Sequence, residues 1–495
     1  MRARPRGRLA EGLALLGLAA CIAAFLREAW PLSPHLDDAY ISYRYARNLV
    51  EGAGLVYNPG EYVEGFTNLL WTLLVAAGLA LGLEAKAVAH ALGLASGVAL
   101  LVATFGYART GLARERAWLA ALAPALVLCS TAFPRWSTSG METPLFVAAV
   151  TAALWAQAAG RMGWATACVC VATLTRPDGA VLAAVVFVFL LPRLRSEGPR
   201  VLAGPAVWLG LLALLSAFRL AYYGSAVPNT FYAKVPGVPL VLGAKYLADF
   251  LADGAGFLLL PAAVAVLREP ALRPGALFAA LFSAYVVGVG GDVFAHGRFL
   301  LPVLPVLAVL AVRGTLLLHQ QRRSLGLLAA ACLALAAWVQ VYGGALSVDG
   351  LRESKRSAAV QAARRLDRSF EWGGQRKAAL IRRRGEPVRL VAVTGIGAFG
   401  YHSRLPIVDL LGLVDATIAR GPSASSGGGY PVPGHVRSNA DYILAREPDY
   451  ILMPKKGAPA LLNAHLDLWA HPDFERFYAW DAELKAYRRR VRLDH

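Results

Sequence analysis

A chain of 495 residues that is 57% hydrophobic, with a mean hydropathy of +0.48, carries more apolar surface than a water-soluble globule can bury, so lipid must be part of its solvent. Its formal charge of +18 would suit nucleic acid, but the arginines fall in short loops and one arm without a groove-binding motif, which points to membrane topology and anionic lipid instead. Cys21, Cys129, Cys168, Cys170 and Cys332 all lie in apolar segments with no CxxC and no neighbouring His, and read as inert packing residues.

The basic start of the chain, MRARPRGR, precedes an apolar run over residues 9–26. The run has the outline of a signal peptide but is read as an uncleaved first span. Its basic flank then places the N-terminus in the cytoplasm and the next loop on the opposite side.

That loop, residues 31–67, is polar, aromatic and charged. Asp37 and Asp38 open a segment in which Tyr40, Tyr43, Ala46 and Val50 recur at helical spacing, with Gly52 as a stop. The expectation is a short amphipathic helix along the membrane surface, with both carboxylates at its positive end. An ordinary N-cap is one reading of Asp37. A second Asp, Arg44, Arg47 and the tyrosines Tyr40, Tyr43, Tyr45 and Tyr57 in the same membrane-proximal loop support a functional one.

Basic clusters at 109–116, 193–200, 268–273 and 313–323 should be cytoplasmic. Loops at 135–143, 222–253 and 290–298, and everything after a last span near 325–346, should then be external. Two apolar runs at 68–83 and 86–108 would put the first cluster on the wrong side if both cross, so one is re-entrant or the charge rule fails there. The expectation is ten to thirteen spans.

Several of these loops carry charge at helix ends. Glu142 sits in Ser139-Gly140-Met141-Glu142-Thr143, where helix capping and function explain it equally well. A Pro-Asp-Gly turn in Thr175-Arg176-Pro177-Asp178-Gly179 should split an apolar stretch, leaving Arg176 and Asp178 either paired with each other or facing substrate. Asn229 and Lys234, in Pro228-Asn229-Thr230-Phe231-Tyr232-Ala233-Lys234, belong either to an interfacial aromatic belt or to a phosphate site. Asp292, His296 and Arg298 lie within seven residues at a helix junction, an expensive cluster at bilayer depth unless it binds an anion; as a metal site it offers only Asp292 and His296.

After Val348 long apolar runs vanish and charge rises. Residues 348–495 read as an external soluble α/β domain beside a transmembrane module over 1–347, with a basic helical arm at 352–384, strands at 388–393 and 450–453, and a flexible Ser/Gly segment at 423–429. Gly395-Ile396-Gly397-Ala398-Phe399-Gly400 is formally a dinucleotide fingerprint, with Asp415 at a plausible ribose distance. It is read as a decoy, because Pro406 and Gly412 should break the helix the fingerprint needs.

Carboxylates and cations on several external loops beside an apolar bundle suit transfer from a lipid-phosphate donor: the prenyl tail stays in the membrane, the phosphate needs cations, and the acceptor hydroxyl needs a carboxylate base. At the level of motifs, Asp37-Asp38-Ala39-Tyr40, Arg44-Tyr45, Asn58-Pro59-Gly60-Glu61 and Val63-Glu64-Gly65-Phe66-Thr67-Asn68 resemble the first loop of the terminal β-(1→2)-arabinofuranosyltransferases, in the GT-C superfamily of polyprenyl-phosphate-sugar glycosyltransferases. The resemblance continues through residues 140–143, 175–179, 228–234, 290–298, 410–415 and 434–435.

It implies a polytopic GT-C-type helical bundle and an inverting transfer outside the cytoplasm, from a polyprenyl-phosphate sugar to an envelope glycan or lipid acceptor, with Asp37 or Asp38 as base. Tyr40, Arg44, Glu64, Glu142, Arg176, Asn229, Lys234, Asp292, His296 and Arg298 are the expected donor and acceptor contacts, and the C-terminal domain is expected to help hold the acceptor. No cofactor is assigned, a divalent cation stays open, and the expected location is a bacterial inner membrane. A flippase of lipid-linked saccharide would predict inverted repeats and mid-helix charges, which the sequence lacks. A non-catalytic membrane scaffold has no need to keep acidic and cationic loops at bilayer depth.

Overall fold

The computed structural model describes residues 5–31, 35–234, 240–292, 294, 297–342, 355–421, 436–458 and 462–490. The chain divides into two compact units, each assembled from separate stretches: residues 1–33, 89–213 and 239–365 form one, and 34–88, 214–238 and 366–495 the other. This differs from a break at residue 348: the grouping changes at 365/366, and residues 366–495 join the first loop and the segment around Asn229 in one unit.

The first unit is helical. Among the described residues six helical stretches are long and apolar enough to cross a membrane: Gly7–Ala29, Ala85–Arg109, Gly179–Tyr223, Pro270–Gly288, Val303–Gln321 and Arg323–Tyr342. Leu240–Ala252 and Ala255–Arg268, bent by 71° at their break, make a seventh if counted as one span. The apolar helices Thr143–Ala158 and Met162–Thr175, and Leu69–Ala80 of the second unit, are shorter, so the described residues hold six or seven such spans where ten to thirteen are expected from the sequence. The protein is a multi-pass membrane protein.

The conflict over the second and third apolar runs has a simple resolution in length. At about 1.5 Å per residue, the 12 residues of Leu69–Ala80 reach only about 18 Å, short of a hydrocarbon core of about 30 Å, whereas the 25 of Ala85–Arg109 suffice. The innermost helix of this unit is Val303–Gln321, buried at every position from Val303 to Gly314. Its Arg313 pairs with Glu269 and donates to the main-chain oxygens of Ala108 and Thr110, so this cation has a structural role.

The second unit is built on a five-stranded sheet of β1 (Val391–Val393), β2 (Ile407–Asp409), β3 (Tyr450–Leu452), β4 (Tyr478–Asp481) and β5 (Ala486–Arg489), in the order β2-β1-β3-β5-β4. β1 pairs in parallel with β2 and β3, and β5 runs antiparallel to β3 and β4. The strands expected at 388–393 and 450–453 are thus present in shorter form. Alternation sends Val391, Val393, Tyr450 and Leu452 to one face, where Ile41, Tyr45, Leu55, Tyr57 and Phe66 of the first loop cover them. Ala392, Val408 and Ile451 face the other way, onto Ile418, Ile443, Leu468 and Phe474.

The basic arm is the helix Lys355–Arg384. The Ser/Gly segment at 423–429 and the Gly434-His435 pair lie outside the described residues.

Candidate active site

Asp37 and Asp38 occupy the first turn of the helix Asp37–Val50, as the sequence leads one to expect, and the helix stops through left-handed Gly52. Two expectations about it need correction. The helix is buried on all sides from Ala39 to Asn48, so it is an interior element and not an amphipathic strip along a membrane surface. Nor does Asp37 cap it: the N-cap is Leu36, with no side-chain hydrogen bond.

The half-buried Asp37 carboxylate instead reaches across the unit. Its two oxygens accept from the backbone N–H groups of Gly397 (2.9 Å) and Ala398 (2.7 Å). Burial pushes its pKa up to about 6; the Ala398 N–H opposes this, the charge of Asp38 adds to it, and the Gly397 N–H opposes it again. Asp38, also half-buried, makes no hydrogen bond or ion pair among the described residues.

The glycine-rich motif follows from this contact. A short helix begins within the glycines, over Gly397–Ser403, but it ends before Pro406, and the strand β2 and a turn through left-handed Gly412 follow, as expected. Its first N–H groups are taken by Asp37. A Cβ on Gly397 would stand 1.7 Å from the Asp37 main-chain oxygen, and one on Gly400 1.9 Å from the Tyr57 hydroxyl. The glycines therefore let the first loop approach the backbone.

The rest of the loop is tied to the same segment. Tyr57 donates to the Ile396 carbonyl (2.6 Å) and Arg47 to that of Tyr401 (2.6 Å). Arg44, 1% exposed, lies over the Tyr57 ring at 4.1 Å and donates to the carbonyls of Tyr57, Gly400 and Leu405 and to Asn58 Oδ1. Of its donors, four hydrogen bonds go to protein acceptors, which makes Arg44 a tether of the loop. Tyr40 donates to Glu371 Oε1 (2.7 Å), the oxygen that also receives Lys86 Nζ (2.7 Å), and its ring packs on Tyr43, Tyr401 and His402.

Elsewhere in this unit Glu64 forms a two-pronged pair with Arg219, with contacts of 2.8–3.1 Å. Burial pushes the Glu64 carboxyl up, while the hydrogen bonds and charge of Arg219 pull it back. Asn229 donates to the carbonyls of Gly412 and Leu413, and its N–H to the Glu64 carbonyl, so it ties three segments together. Lys234 is exposed at the end of the helix Asn229–Lys234.

In the first unit the turn at Pro177 splits Met162–Thr175 from Gly179–Val188 as expected. Arg176 holds Asp178 through both carboxylate oxygens (3.0–3.1 Å) and Glu142 Oε1 at 3.0 Å, so the loops carrying Glu142 and Arg176 meet. Arg298 holds Asp292 in the same two-pronged way, at 2.6 and 3.0 Å. Both guanidiniums stand 4.9 Å from the centre of the Phe299 ring, which brings the two pairs to one place. Arg298 Nη1 makes no hydrogen bond among the described residues. His296 lies outside them.

Sequence reasoning missed Glu371, Arg219 and the N–H groups of Gly397 and Ala398. Glu371 had a signal: with Asp367 it is one of only two acids in the basic helix Lys355–Arg384, four residues apart and so on one face. Arg219 is a lone cation inside an apolar run, a mark of pairing. Among the described residues no group of three or more His, Cys, Asp or Glu is placed to hold a metal ion.

Residues 362–492 match a family model described as a domain of unknown function (DUF8728). The chain is 30% identical over 335 residues to the terminal beta-(1->2)-arabinofuranosyltransferase of Mycobacterium tuberculosis, an alignment covering 56% of this chain and 52% of that protein. It is 32% identical over 380 residues to the protein of the same name from Corynebacterium glutamicum, covering 66% and 54%. The chain thus spans about half the length of these curated relatives. Its fold is shared with ArnT from Cupriavidus metallidurans: TM-score 0.53 and 15% identity for the structure bound to undecaprenyl phosphate, 0.54 and 16% for the apo state, each covering 80% of this chain and 86% or 85% of the other. The GT-C-type fold expected from the first-loop motifs is the fold observed.

Proposed function

We propose that the protein is an integral membrane glycosyltransferase that transfers a sugar, arabinofuranose or a similar residue, from a polyprenyl phosphate to an envelope glycan or lipid acceptor with inversion. The observation that carries this reading is the pair Asp37–Asp38 at the head of a buried helix, with Asp37 oriented by two backbone N–H groups and its pKa raised to about 6. The likeness to two proteins named as arabinofuranosyltransferases, and the fold shared with a protein whose structure holds undecaprenyl phosphate, support the donor class.

In the proposed reaction the acceptor hydroxyl attacks the anomeric carbon from the face opposite the phosphate. Its proton passes to the Asp37 carboxylate as the new C–O bond forms and the bond to the phosphate oxygen breaks, releasing polyprenyl phosphate. A base with a pKa near 6 is ionised at neutral pH yet still takes a proton. The leaving phosphate needs cations. Lys234, which belongs to the same unit as Asp37, is assigned to it. The active site is placed outside the cytoplasm at a bacterial inner membrane, with residues 348–495 on that side.

The test is mass spectrometry of envelope glycans with and without the gene, paired with the reconstituted protein and polyprenyl-phosphoryl pentose and hexose donors. Loss of a terminal pentose or hexose, reproduced in vitro, supports the reading. An unchanged glycan profile and no transfer from either donor class contradict it.

A further inference from the structure

The helix Lys355–Arg384 sorts its charges by face in its second half. Its only acids, Asp367 and Glu371, are buried, and Ala378 and Ile381 continue that inward face. At about 100° per residue, Arg368, Trp372, Arg376 and Arg383 fall within about 80° of arc on the opposite side, along about 22 Å of helix. All four are exposed, Trp372 at 63%. The Arg368 guanidinium lies over the Trp372 ring at 5.8 Å. None of the three arginines makes an ion pair or hydrogen bond among the described residues, whereas Arg382 and Arg384, outside the stripe, are engaged by His402 and by Asp481 with Glu483.

A cation row without a compensating acid among the described residues, with a large aromatic ring left in its midst, is a poor surface for bulk water. It is a good one for a boundary that is anionic on one side and apolar on the other. Trp prefers the headgroup level of a bilayer, and arginines beside it gain from anionic headgroups. The chain itself supplies such a boundary, since this helix starts 13 residues after the span Arg323–Tyr342 ends. We propose that the face formed by Arg368, Trp372, Arg376 and Arg383 docks on anionic phospholipid headgroups, making the second unit a peripheral lipid-binding body as well as a partner of the first loop. This does not rest on the glycosyl-transfer reading.

The experiment uses the full chain in nanodiscs of phosphatidylcholine alone or with phosphatidylglycerol, carrying an environment-sensitive dye on Trp372→Cys and a lipid-borne doxyl quencher. The dye should be quenched at least about threefold more with phosphatidylglycerol than without, and the difference should fall at high salt. Arg368→Glu/Arg376→Glu/Arg383→Glu should abolish it, whereas the triple Arg→Lys variant, which keeps the charge, should retain it. Equal quenching in both lipids, or none in either, overturns the proposal. So does a dye that ignores phosphatidylglycerol but responds to a soluble acidic polysaccharide, which would make the partner a glycan.

Discussion

Gly397 meets both the side chain and the backbone of Asp37: its N–H donates to Asp37 Oδ2 at 2.9 Å, and a Cβ on Gly397 would fall 1.7 Å from the Asp37 carbonyl oxygen. A contact between residues 360 apart in sequence therefore sets both the position of the proposed base and the identity of a glycine in the C-terminal region.

Gly397→Ala should consequently displace the first loop. Overpacking against a main-chain atom costs about 1–3 kcal/mol, so the thermal unfolding midpoint should fall and transfer should fall with it. Gly395→Ala, whose Cβ would meet Asp37 Oδ2 at an ordinary 3.6 Å, should leave both within error. Equal effects of the two substitutions would mean that the motif is not a docking surface for the loop.

The Glu64–Arg219 pair supports a second expectation. Both groups are largely buried, with side-chain exposures of 4% and 13%, so Glu64→Leu or Arg219→Met alone should destabilise by about 3–5 kcal/mol by leaving one buried charge unpaired. The double substitution should recover most of the loss. Thermal unfolding of the four proteins in one detergent measures the coupling, and additive losses would refute it.

How much of this was legible in the sequence depends on the distance between partners. The helix at Asp37, its stop at Gly52 and the split at Pro177 come from local spacing, and the structure bears them out; of the two readings left open for Arg176 and Asp178, the pairing is observed. The Asp37–Asp38 pair itself was legible as a charged entry to a helix. Its hydrogen-bond partners were not, because a helix 360 residues away provides them. The amphipathic reading of Asp37–Val50 failed for the same reason: period detects one apolar face, while Tyr40, Arg44 and Arg47 find polar partners on Glu371, Gly400 and Tyr401 that make the other face buried too. The glycine-rich motif opens only the seven residues of Gly397–Ser403 before Pro406 and Gly412 bring the expected strand and turn, so the break is legible locally, whereas the packing of the glycines on Asp37 and Tyr57 is not.

A pH profile tests the environment of the base. Asp37 works ionised, so transfer should be constant above its raised pKa of about 6 and drop about tenfold per pH unit below it. The adjacent Asp38 charge raises that pKa, so Asp38→Asn should move the acid limb to lower pH. A limb that stays in place, or moves upward, would mean that the titrating group is not Asp37.

The most direct measurement is single-turnover transfer from a polyprenyl-phosphoryl sugar by purified Asp37→Asn and Asp38→Asn proteins, each checked for folding by its unfolding midpoint. The account predicts that Asp37→Asn remains folded and loses roughly a hundredfold or more in transfer rate, the loss expected for removal of a general base, while Asp38→Asn loses less. Near-normal transfer by Asp37→Asn with an inactive Asp38→Asn would move the role to Asp38, and near-normal transfer by both would contradict a first-loop carboxylate as the base.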